Sequence, residues 1–325
     1  MQRRSALAAI GSGLAGLPML SLAQSYPSRL IKVVVPYAAG GGIDGVARTL
    51  TQAMADELKQ PFVVDNRPGA GGMLGADLVA KAAADGYTLL LAGNPELTIT
   101  PSLVARTPYS AATDFKPIML VSQSPNVLVC NAKLGARTLR EALEAAKLAS
   151  SGLSIGTPGN GSPQHIAVEL LRAEAGVAAV HVPYKGAAPA TVGVLGGEIS
   201  FALVGAPPVL RHIMSGTLIA LAVTQPQRSP LLPNVPTVGE ALGVMKNEDL
   251  VAWYGLLAPA RAPADIVQLL ERTAGNALNR PDVRSRLAAL GTDLLATPSA
   301  GFAERMRVES SHFAEVIRKF QIKAD

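Results

Sequence analysis

The chain has 325 residues, of which 49% are apolar, 4% aromatic and 16% charged, and its net charge at neutral pH is +5. This length allows one large or two medium domains with a sizeable core. The scarcity of aromatic residues argues against a nucleic-acid surface, while the mild positive charge is compatible with small anionic ligands. The only cysteine, Cys130, excludes an internal disulfide and lies in an apolar run that predicts a buried thiol.

The first 23 residues are predicted to be a secretory signal peptide. Arg3 and Arg4 begin it, an uncharged apolar stretch follows over Ala6–Leu22, and Ala23 completes a small-x-small cleavage signal. An uncleaved anchor helix is the alternative, but the stretch is short and contains Pro18. The paired arginines leave the twin-arginine route open beside general secretion. We expect a mature protein in the periplasm without a membrane span.

A β-α-β-α-β pattern opens the mature chain. Its strands and helices are predicted over Ile31–Val35, Asp44–Leu58, Phe62–Asp65, Met73–Ala83 and Tyr87–Ala92. This alternation is typical of a parallel, doubly wound α/β sheet, in which ligands bind beyond the carboxyl ends of the strands. The loops at residues 36–44 and 93–98 should therefore reach the same edge of the sheet.

The rest of the chain is predicted to form two lobes joined by two crossings. Apolar strand segments flank Ser124-Pro125, and the strand containing Trp253 brings the chain back. Three amphipathic helices are predicted at the end, over Pro263–Leu278, Pro281–Leu290 and Ser299–Phe320. This plan is that of a hinged binding protein. We expect lobe one at residues 26–124 and 252–300, lobe two at 125–251, and a C-terminal helix at 301–325 that packs across both.

Each lobe contains a glycine-rich turn between a strand and a helix. In lobe one, Gly40, Gly41 and Gly42 would aim the N–H groups of Gly41 and Gly42 at an anion beside a helix N-terminus. In lobe two, the turn Thr157–His165 carries Ser162 as a predicted N-cap. Two such turns facing each other would enclose a small anion. The alternative is that each turn only connects its strand to its helix.

A second interpretation is a dinucleotide-binding enzyme. Gly40, Gly42 and Gly45 spell G-x-G-x-x-G, and Asp65 follows about twenty residues later. Two features argue against this interpretation. Residues 36–39 separate the strand from Gly40, where a dinucleotide fingerprint requires an immediate turn, and the signal peptide directs the chain away from cytoplasmic NAD. The four histidines show no paired ligand spacing, and neither a G-x-S-x-G elbow nor a P-loop occurs. We therefore expect no metal, no cofactor and no catalysis.

Several motifs together resemble a known family. They are Pro36–Asp44, Asn66–Gly72, Ala84–Leu89, Gly159–His165, Val182–Gly186, Val235–Thr237 and Trp253–Leu256. In this order they are similar to the Bug-type solute-binding proteins of tripartite tricarboxylate transporters, over essentially the whole mature chain. The resemblance implies the type II periplasmic binding fold. Each lobe would be a mainly parallel doubly wound α/β sheet flanked by helices, with two crossover strands at the hinge.

The same resemblance implies the function and the partners. The ligand would be a small carboxylate, meaning a di- or tricarboxylate, an acidic amino acid or an aromatic acid. Backbone amides and waters would hold it, and the monomeric protein would deliver it to the membrane permease. A sensor subunit that presents the carboxylate to a signalling receptor is the alternative. The predicted ligand-binding residues are Tyr37, Ala38, Gly41, Gly42, Asp44, Asn94, Thr157, Gly159, Gly161, Ser162, His165, Tyr184 and Lys185.

Four of these side chains also have a purely structural interpretation. Asp44 would then cap its helix, because a carboxylate in an anion pocket repels the ligand unless a donor or water lies between them. His165 would be a packing or surface histidine, and Lys185 an ordinary solvated charge. Ser162 would only cap the second helix. Trp253 is predicted to pack at the hinge rather than stack on a ligand.

Overall fold

The computed structural model describes residues 26–148, 153–246 and 248–323, so the predicted signal peptide lies outside the described residues. The strands are β1 Ile31–Val35, β2 Phe62–Asn66, β3 Thr88–Gly93, β4 Phe115–Ser124, β5 Asn126–Asn131, β6 Ser154–Thr157, β7 Val180–Pro183, β8 Phe201–Gly205, β9 Leu218–Val223, β10 Ala252–Pro259 and β11 Asp293–Pro298. The helices are α1 Gly42–Leu58, α2 Met73–Ala80, α3 Thr100–Leu103, α4 Leu139–Leu148, α5 Pro163–Ala175, α6 Ala187–Gly196, α7 Leu210–Met214, α8 Val238–Leu242, α9 Ala264–Asn279, α10 Pro281–Ala289 and α11 Ser299–Phe320. A π turn covers Pro95–Ile99.

The strands form two sheets, in the orders β11-β4-β10-β3-β1-β2 (the first sheet) and β7-β6-β8-β5-β9 (the second sheet). The predicted two-lobed α/β fold is confirmed, but the sheets are mixed rather than mainly parallel. β1 pairs in parallel with β2 and β3, and β6 with β7 and β8, whereas β10 and β5 are antiparallel to both of their neighbours. The crossings between the sheets explain this direction. The chain enters the second sheet at β5 and returns to the first sheet at β10, and each of these strands begins at the edge where its neighbours end.

Helices cover both faces of each sheet. On the first sheet, α1, α9 and α10 bury residues such as Leu50 and Leu270 on one face, and α2 buries Val79 on the other. α11 contributes to both cores: Phe302 packs on the first sheet and Phe313 on the second. Alternate residues of each central strand face opposite clusters, which explains the continuous apolar runs in the sequence.

Two segments join the sheets, and buried polar side chains hold the second of them in place. β4 continues through Pro125 into β5, and the return segment precedes β10. Asn94 Nδ2 donates to the Val251 carbonyl at 2.7 Å, and Thr224 Oγ1 donates to the Leu250 carbonyl at 2.8 Å. Trp253 is fully buried, and its Nε1 donates to Glu309 Oε2 on α11 at 2.7 Å. Trp253 therefore packs beside the crossing, as the sequence predicts.

Candidate functional site

The carboxyl ends of three parallel strands define one edge of the first sheet. β1 lies between β2 and β3 with Val33 beside Val64 and Leu89. The loops after these strands therefore emerge together, at the position where open α/β sheets bind ligands. The loops at residues 36–44 and 93–98 both lie at this edge, as the alternation of elements predicts.

The glycine-rich loop after β1 presents unpaired backbone donors. Gly40 has a φ of 84°, a conformation that favours glycine, and Gly41 is the N-cap of α1. Within the described residues the N–H groups of Gly41 and Gly42 have no hydrogen-bond partner, as the first turn of a helix requires. Gly41 is exposed and Gly42 half-buried. The helix dipole adds partial positive charge here, so this loop suits an anion.

Asp44 is engaged within its own loop. Its Oδ2 accepts from the Gly40 N–H at 2.9 Å and from Arg48 Nε at 3.0 Å, and its Oδ1 accepts from Asn66 Nδ2 at 3.0 Å. Burial alone would raise the pKa of Asp44, but these hydrogen bonds and the Arg48 charge hold that pKa below its ordinary value. Although Gly41 rather than Asp44 is the N-cap, the carboxylate does stabilise the start of α1, and both of its oxygens have partners.

Behind the loop lies a fully buried carboxyl group, that of Glu96 on the π turn after β3. Its Oε2 accepts from the Tyr37 hydroxyl at 2.6 Å and its Oε1 from the Gly93 N–H at 2.8 Å. Burial raises the pKa of Glu96 to about 7, although both hydrogen bonds oppose that rise. Gly72, in the loop after β2, packs directly against this pair. A Cβ atom built at Gly72 would lie 2.9 Å from Glu96 Oε2 and 3.1 Å from Tyr37 Oη, so only glycine fits at this position.

Loops of the second sheet face this edge. The Asn160 carbonyl lies 3.9 Å from a Cβ atom built at Gly71, and Pro207 Cγ lies 3.5 Å from one built at Gly42. The Tyr254 hydroxyl, from β10 of the first sheet, is 3.4 Å from the same Cβ atom built at Gly42. Loops of the two sheets thus approach each other across a narrow cleft, with the Gly41 and Gly42 donors on one side.

The second glycine-rich turn uses its own polar groups internally. Ser162 is the N-cap of α5: its Oγ accepts from the His165 N–H at 3.1 Å and donates to the Gly159 carbonyl at 2.7 Å. The Gly159 N–H donates to Thr157 Oγ1 at 3.3 Å, and the Gly161 N–H donates to His165 Nδ1 at 3.3 Å. The predicted N-cap is therefore confirmed, while the contact of these residues with a ligand stays a prediction.

Two histidines that the sequence spacing does not pair lie together behind this turn. The rings of His165 and His181 stack with their centroids 4.5 Å apart and an interplanar angle of 20°, and Thr157 Oγ1 lies 2.7 Å from His181 Nε2. Burial lowers the pKa of each histidine to about 4. Glu169 completes a group whose possible metal-ligand atoms lie within 4.8 Å of one another. Because the stacked rings direct their nitrogen lone pairs side by side rather than to one point, a shared metal ion would require one ring to rotate.

The remaining predicted residues are distributed unevenly around the cleft. Ala38 is exposed on the first loop. Asn94 is fully buried and donates to the return segment, so it supports the hinge. The Tyr184 ring lies against Gly156 on the face of the second sheet, and Lys185 is exposed beside it. Ligand contact by these four residues stays a prediction.

Sequence reasoning missed three residues that the structure brings to the cleft or directly behind it: Glu96, Tyr254 and Pro207. Glu96 lies two residues after Asn94, in a loop that the sequence does assign to the binding edge. The acidic residue next to Pro95, immediately after a buried strand, was the available signal. Tyr254 and Pro207 come from distant parts of the chain, and no local pattern connects them to the first loop.

Two sheets joined by two crossings, with facing loops at one edge, define a hinged, two-lobed solute-binding protein. A family model described as "Tripartite tricarboxylate transporter family receptor" matches residues 46–322. Protein BugT of Bordetella pertussis (strain Tohama I) is 38% identical over 325 residues, covering 98% of each chain. The chain belongs to this family of solute receptors, and the resemblance seen in its motifs is confirmed.

Two solved structures extend the comparison. An R. palustris protein solved with adipate has a TM-score of 0.85 at 28% identity, with 92% of this chain and 99% of that chain covered. MatC from Rhodopseudomonas palustris with bound malate has a TM-score of 0.81 at 31% identity, with 90% of this chain and 100% of that chain covered. Among the described residues, no helix has the length and apolar character needed to cross a bilayer.

The family membership excludes the enzyme interpretation of the G-x-G-x-x-G pattern. The structure adds a physical reason, because Asp65 is already engaged by Arg67, whose Nε lies 2.9 Å from Oδ1. Gly45 lies inside α1, where a Cβ atom would meet Leu290 at 3.0 Å, so this glycine serves helix packing.

Proposed function

We propose that this protein captures a small carboxylate in the cleft between its two sheets and delivers it to the membrane permease of a tripartite tricarboxylate transporter. We further propose that it works in the periplasm after removal of residues 1–23, as a monomer. The observation that carries the proposal is the pair of N–H groups at Gly41 and Gly42, at the N-terminus of α1, which have no partner among the residues that the structure describes.

Electrostatics and the relatives both support this choice of ligand. A hydrogen bond from a backbone N–H to a charged group contributes roughly 1.5–3 kcal/mol, and the helix N-terminus favours a negative charge further. Two relatives of this fold were solved with adipate and malate, both dicarboxylates. The ligand carboxylate would accept from Gly41 and Gly42, and bridging waters would complete its hydrogen bonds.

The two segments that join the lobes would act as a hinge about which the lobes open and close. We propose lobe one at residues 26–124 and 252–300 and lobe two at 125–251, with α11 packing on both lobes. The ligand would dock on the first sheet, and the loops around Asn160 and Pro207 would close over it. Closure is favoured only by contacts that the closed state adds, so the facing loops determine which carboxylate is retained.

A thermal-shift screen tests the proposal. The mature protein would be heated with adipate, malate, citrate, glutamate or benzoate, and with the diamide of adipic acid as an uncharged control. We expect at least one acid to raise Tm in a concentration-dependent way, because a ligand that binds only the folded state stabilises it. The uncharged diamide should leave Tm unchanged. If none of the acids raises Tm, or the diamide raises it equally, the proposal is wrong.

A further inference from the structure

Glu96 is a buried acid whose charge has no basic partner in the described part of the chain. The titratable groups that face it are three tyrosines: Tyr37 donates to its carboxyl, Tyr109 donates to its backbone carbonyl at 2.6 Å, and Tyr254 lies nearby. An ionised carboxylate in such surroundings is costly, and hydrogen bonds such as those from the Tyr37 hydroxyl and the Gly93 N–H offset only part of that cost. Glu96 is therefore easily protonated, and burial raises its pKa to about 7.

Tyr37 connects this acid to the cleft. It stands at the start of the glycine-rich loop, half-buried, and its Oη lies 3.1 Å from a Cβ atom built at Gly72. The neighbouring Gly71 faces the Asn160 carbonyl of the opposite loop. Tyr254 lies near both Tyr37 and Glu96, and its hydroxyl is 3.4 Å from a Cβ atom built at Gly42. The Glu96–Tyr37 pair therefore lies on the same side of the first sheet as the Gly42 donor.

The single proton of the Tyr37 hydroxyl decides what this side chain offers a ligand. When Glu96 is ionised, both of its oxygens can only accept, so the Tyr37 hydroxyl must donate its proton to Glu96. Toward any other group, the Tyr37 oxygen then offers only its lone pairs, as an acceptor. A ligand carboxylate is repelled by that arrangement. When Glu96 is protonated, its own O–H can donate to Tyr37 Oη, and the phenolic proton is then free for another acceptor.

We propose that Glu96 is a positioning and specificity residue: a carboxylate entering the cleft takes up one proton from solvent onto Glu96, and Tyr37 then donates its hydroxyl proton to that carboxylate. This inference rests on the proposed function and deepens it. No covalent bond changes, and the proton comes from the buffer. The negative ligand favours the protonated acid, because a like charge nearby disfavours ionisation. A ligand without a negative charge does not favour protonation of Glu96, so the affinity for it gains nothing from the proton uptake.

Because binding takes up a proton, the affinity for a carboxylate should depend on pH in one direction. Above the pKa of free Glu96, each unit of pH makes protonation upon binding harder, so carboxylate affinity falls as pH rises. With that pKa about 7, we expect binding at pH 8 to be about tenfold weaker than at pH 6. Below pH 6 the acid is already protonated, and the affinity should no longer depend on it.

Isothermal titration calorimetry tests the proposal. Each acid of the screen that raises Tm is titrated at pH 6 and pH 8. At each pH two buffers are used that are effective there, carry no anionic group and differ in their ionisation enthalpy, because the difference in heat between buffers counts the protons taken up. We expect about one proton per bound acid at pH 8 and almost none at pH 6. Glu96→Gln keeps a donor toward Tyr37 and an acceptor for Gly93. This variant should take up no proton and, at pH 8, bind about tenfold more tightly than the wild type.

Asp293→Asn is the matched control, since burial also raises the pKa of Asp293 but this residue lies on β11, the edge strand of the first sheet, three strands from β3. Its proton uptake should equal that of the wild type. Binding without proton uptake at pH 8, or uptake that persists in Glu96→Gln, overturns the inference while leaving the proposed function intact. If Glu96→Gln does not fold, the wild-type uptake at the two pH values decides. If no acid binds at all, the proposed function fails, and the inference fails with it.

Discussion

The two glycine-rich turns of this protein look alike in sequence and behave differently in the structure. The turn before α1 leaves the N–H groups of Gly41 and Gly42 without partners among the described residues. The turn before α5 bonds three of its N–H groups to its own side chains: Gly159 to Thr157, Gly161 to His165, and the His165 N–H to Ser162. The first turn is largely exposed and the second largely buried.

Glycine content alone therefore does not make an anion site. A tight turn at a helix N-terminus offers donors only where nearby side chains do not accept from them first. In the first turn a single acceptor, Asp44, takes the Gly40 N–H and leaves the next two donors available. We infer that the first turn holds the ligand carboxylate, whereas the second supplies a rigid surface that closes over it.

The largest expected effect comes from Gly41→Val. Gly41 has φ −79° and ψ 169°, which any residue can adopt, and an added Cβ atom would meet only the Ala38 carbonyl, at 3.8 Å. The side chain would cover the donors, so we expect carboxylate affinity to fall roughly 10- to 100-fold, the equivalent of one lost charge-assisted hydrogen bond or more. Calorimetry measures the affinity, and Tm should change little.

Gly161→Val is the matched variant in the second turn. Gly161 has φ 76°, and a Cβ atom there would lie 2.9 Å from Thr100 Oγ1, so valine should lower Tm by several degrees. Unchanged affinity in Gly41→Val would contradict the assignment of the carboxylate to the first turn.

Acid pH should destabilise the second turn before the first. Burial lowers the pKa of His165 and of His181 to about 4, whereas an unfolded histidine titrates near 6.5. Between those values the unfolded chain binds more protons, so stability is complete above about pH 6.5 and is lost as pH falls toward 4. We expect Tm to fall by about 5–10 °C between pH 6.5 and pH 4.5. His165→Asn should flatten this slope in a thermal-shift series.

His212→Asn provides the control, because His212 lies on α7, away from both turns. It should reproduce the wild-type slope. A slope that His165→Asn leaves unchanged would show that other groups cause the acid sensitivity.

Asp44→Asn should have a smaller effect, on stability. The hydrogen bonds from Gly40, Arg48 and Asn66 hold the pKa of Asp44 below its ordinary value, so its contribution is present above about pH 4 and lost as pH falls through the lowered pKa. We expect the free energy of unfolding to drop by about 1–2 kcal/mol at neutral pH in urea titrations. The difference from the wild type should shrink in acid. A constant difference at all pH values would mean that geometry rather than charge matters.

The sequence predicted most elements because their patterns are local. The predicted helix Ser299–Phe320 agrees with α11, and the predicted strand Ile31–Val35 agrees with β1. β11 was missed, since its six residues make their sheet contacts with β4, about 170 positions earlier. The glycine loop and the Ser162 cap were also predicted from local chemistry. Glu96 and the stacked histidines were not, because their roles depend on neighbours that other elements bring to them.

The smallest expected effect, that of Ser162→Ala, decides between the two interpretations of the second turn. The Ser162 hydroxyl already accepts from the His165 N–H and donates to the Gly159 carbonyl. Its removal should therefore cost about 1 kcal/mol of stability, seen as a Tm lowered by about 2–4 °C, while carboxylate affinity stays the same. The opposite result, weaker binding at an unchanged Tm, would make Ser162 a ligand contact. The two turns would then act alike, and both sides of the cleft would donate to the carboxylate.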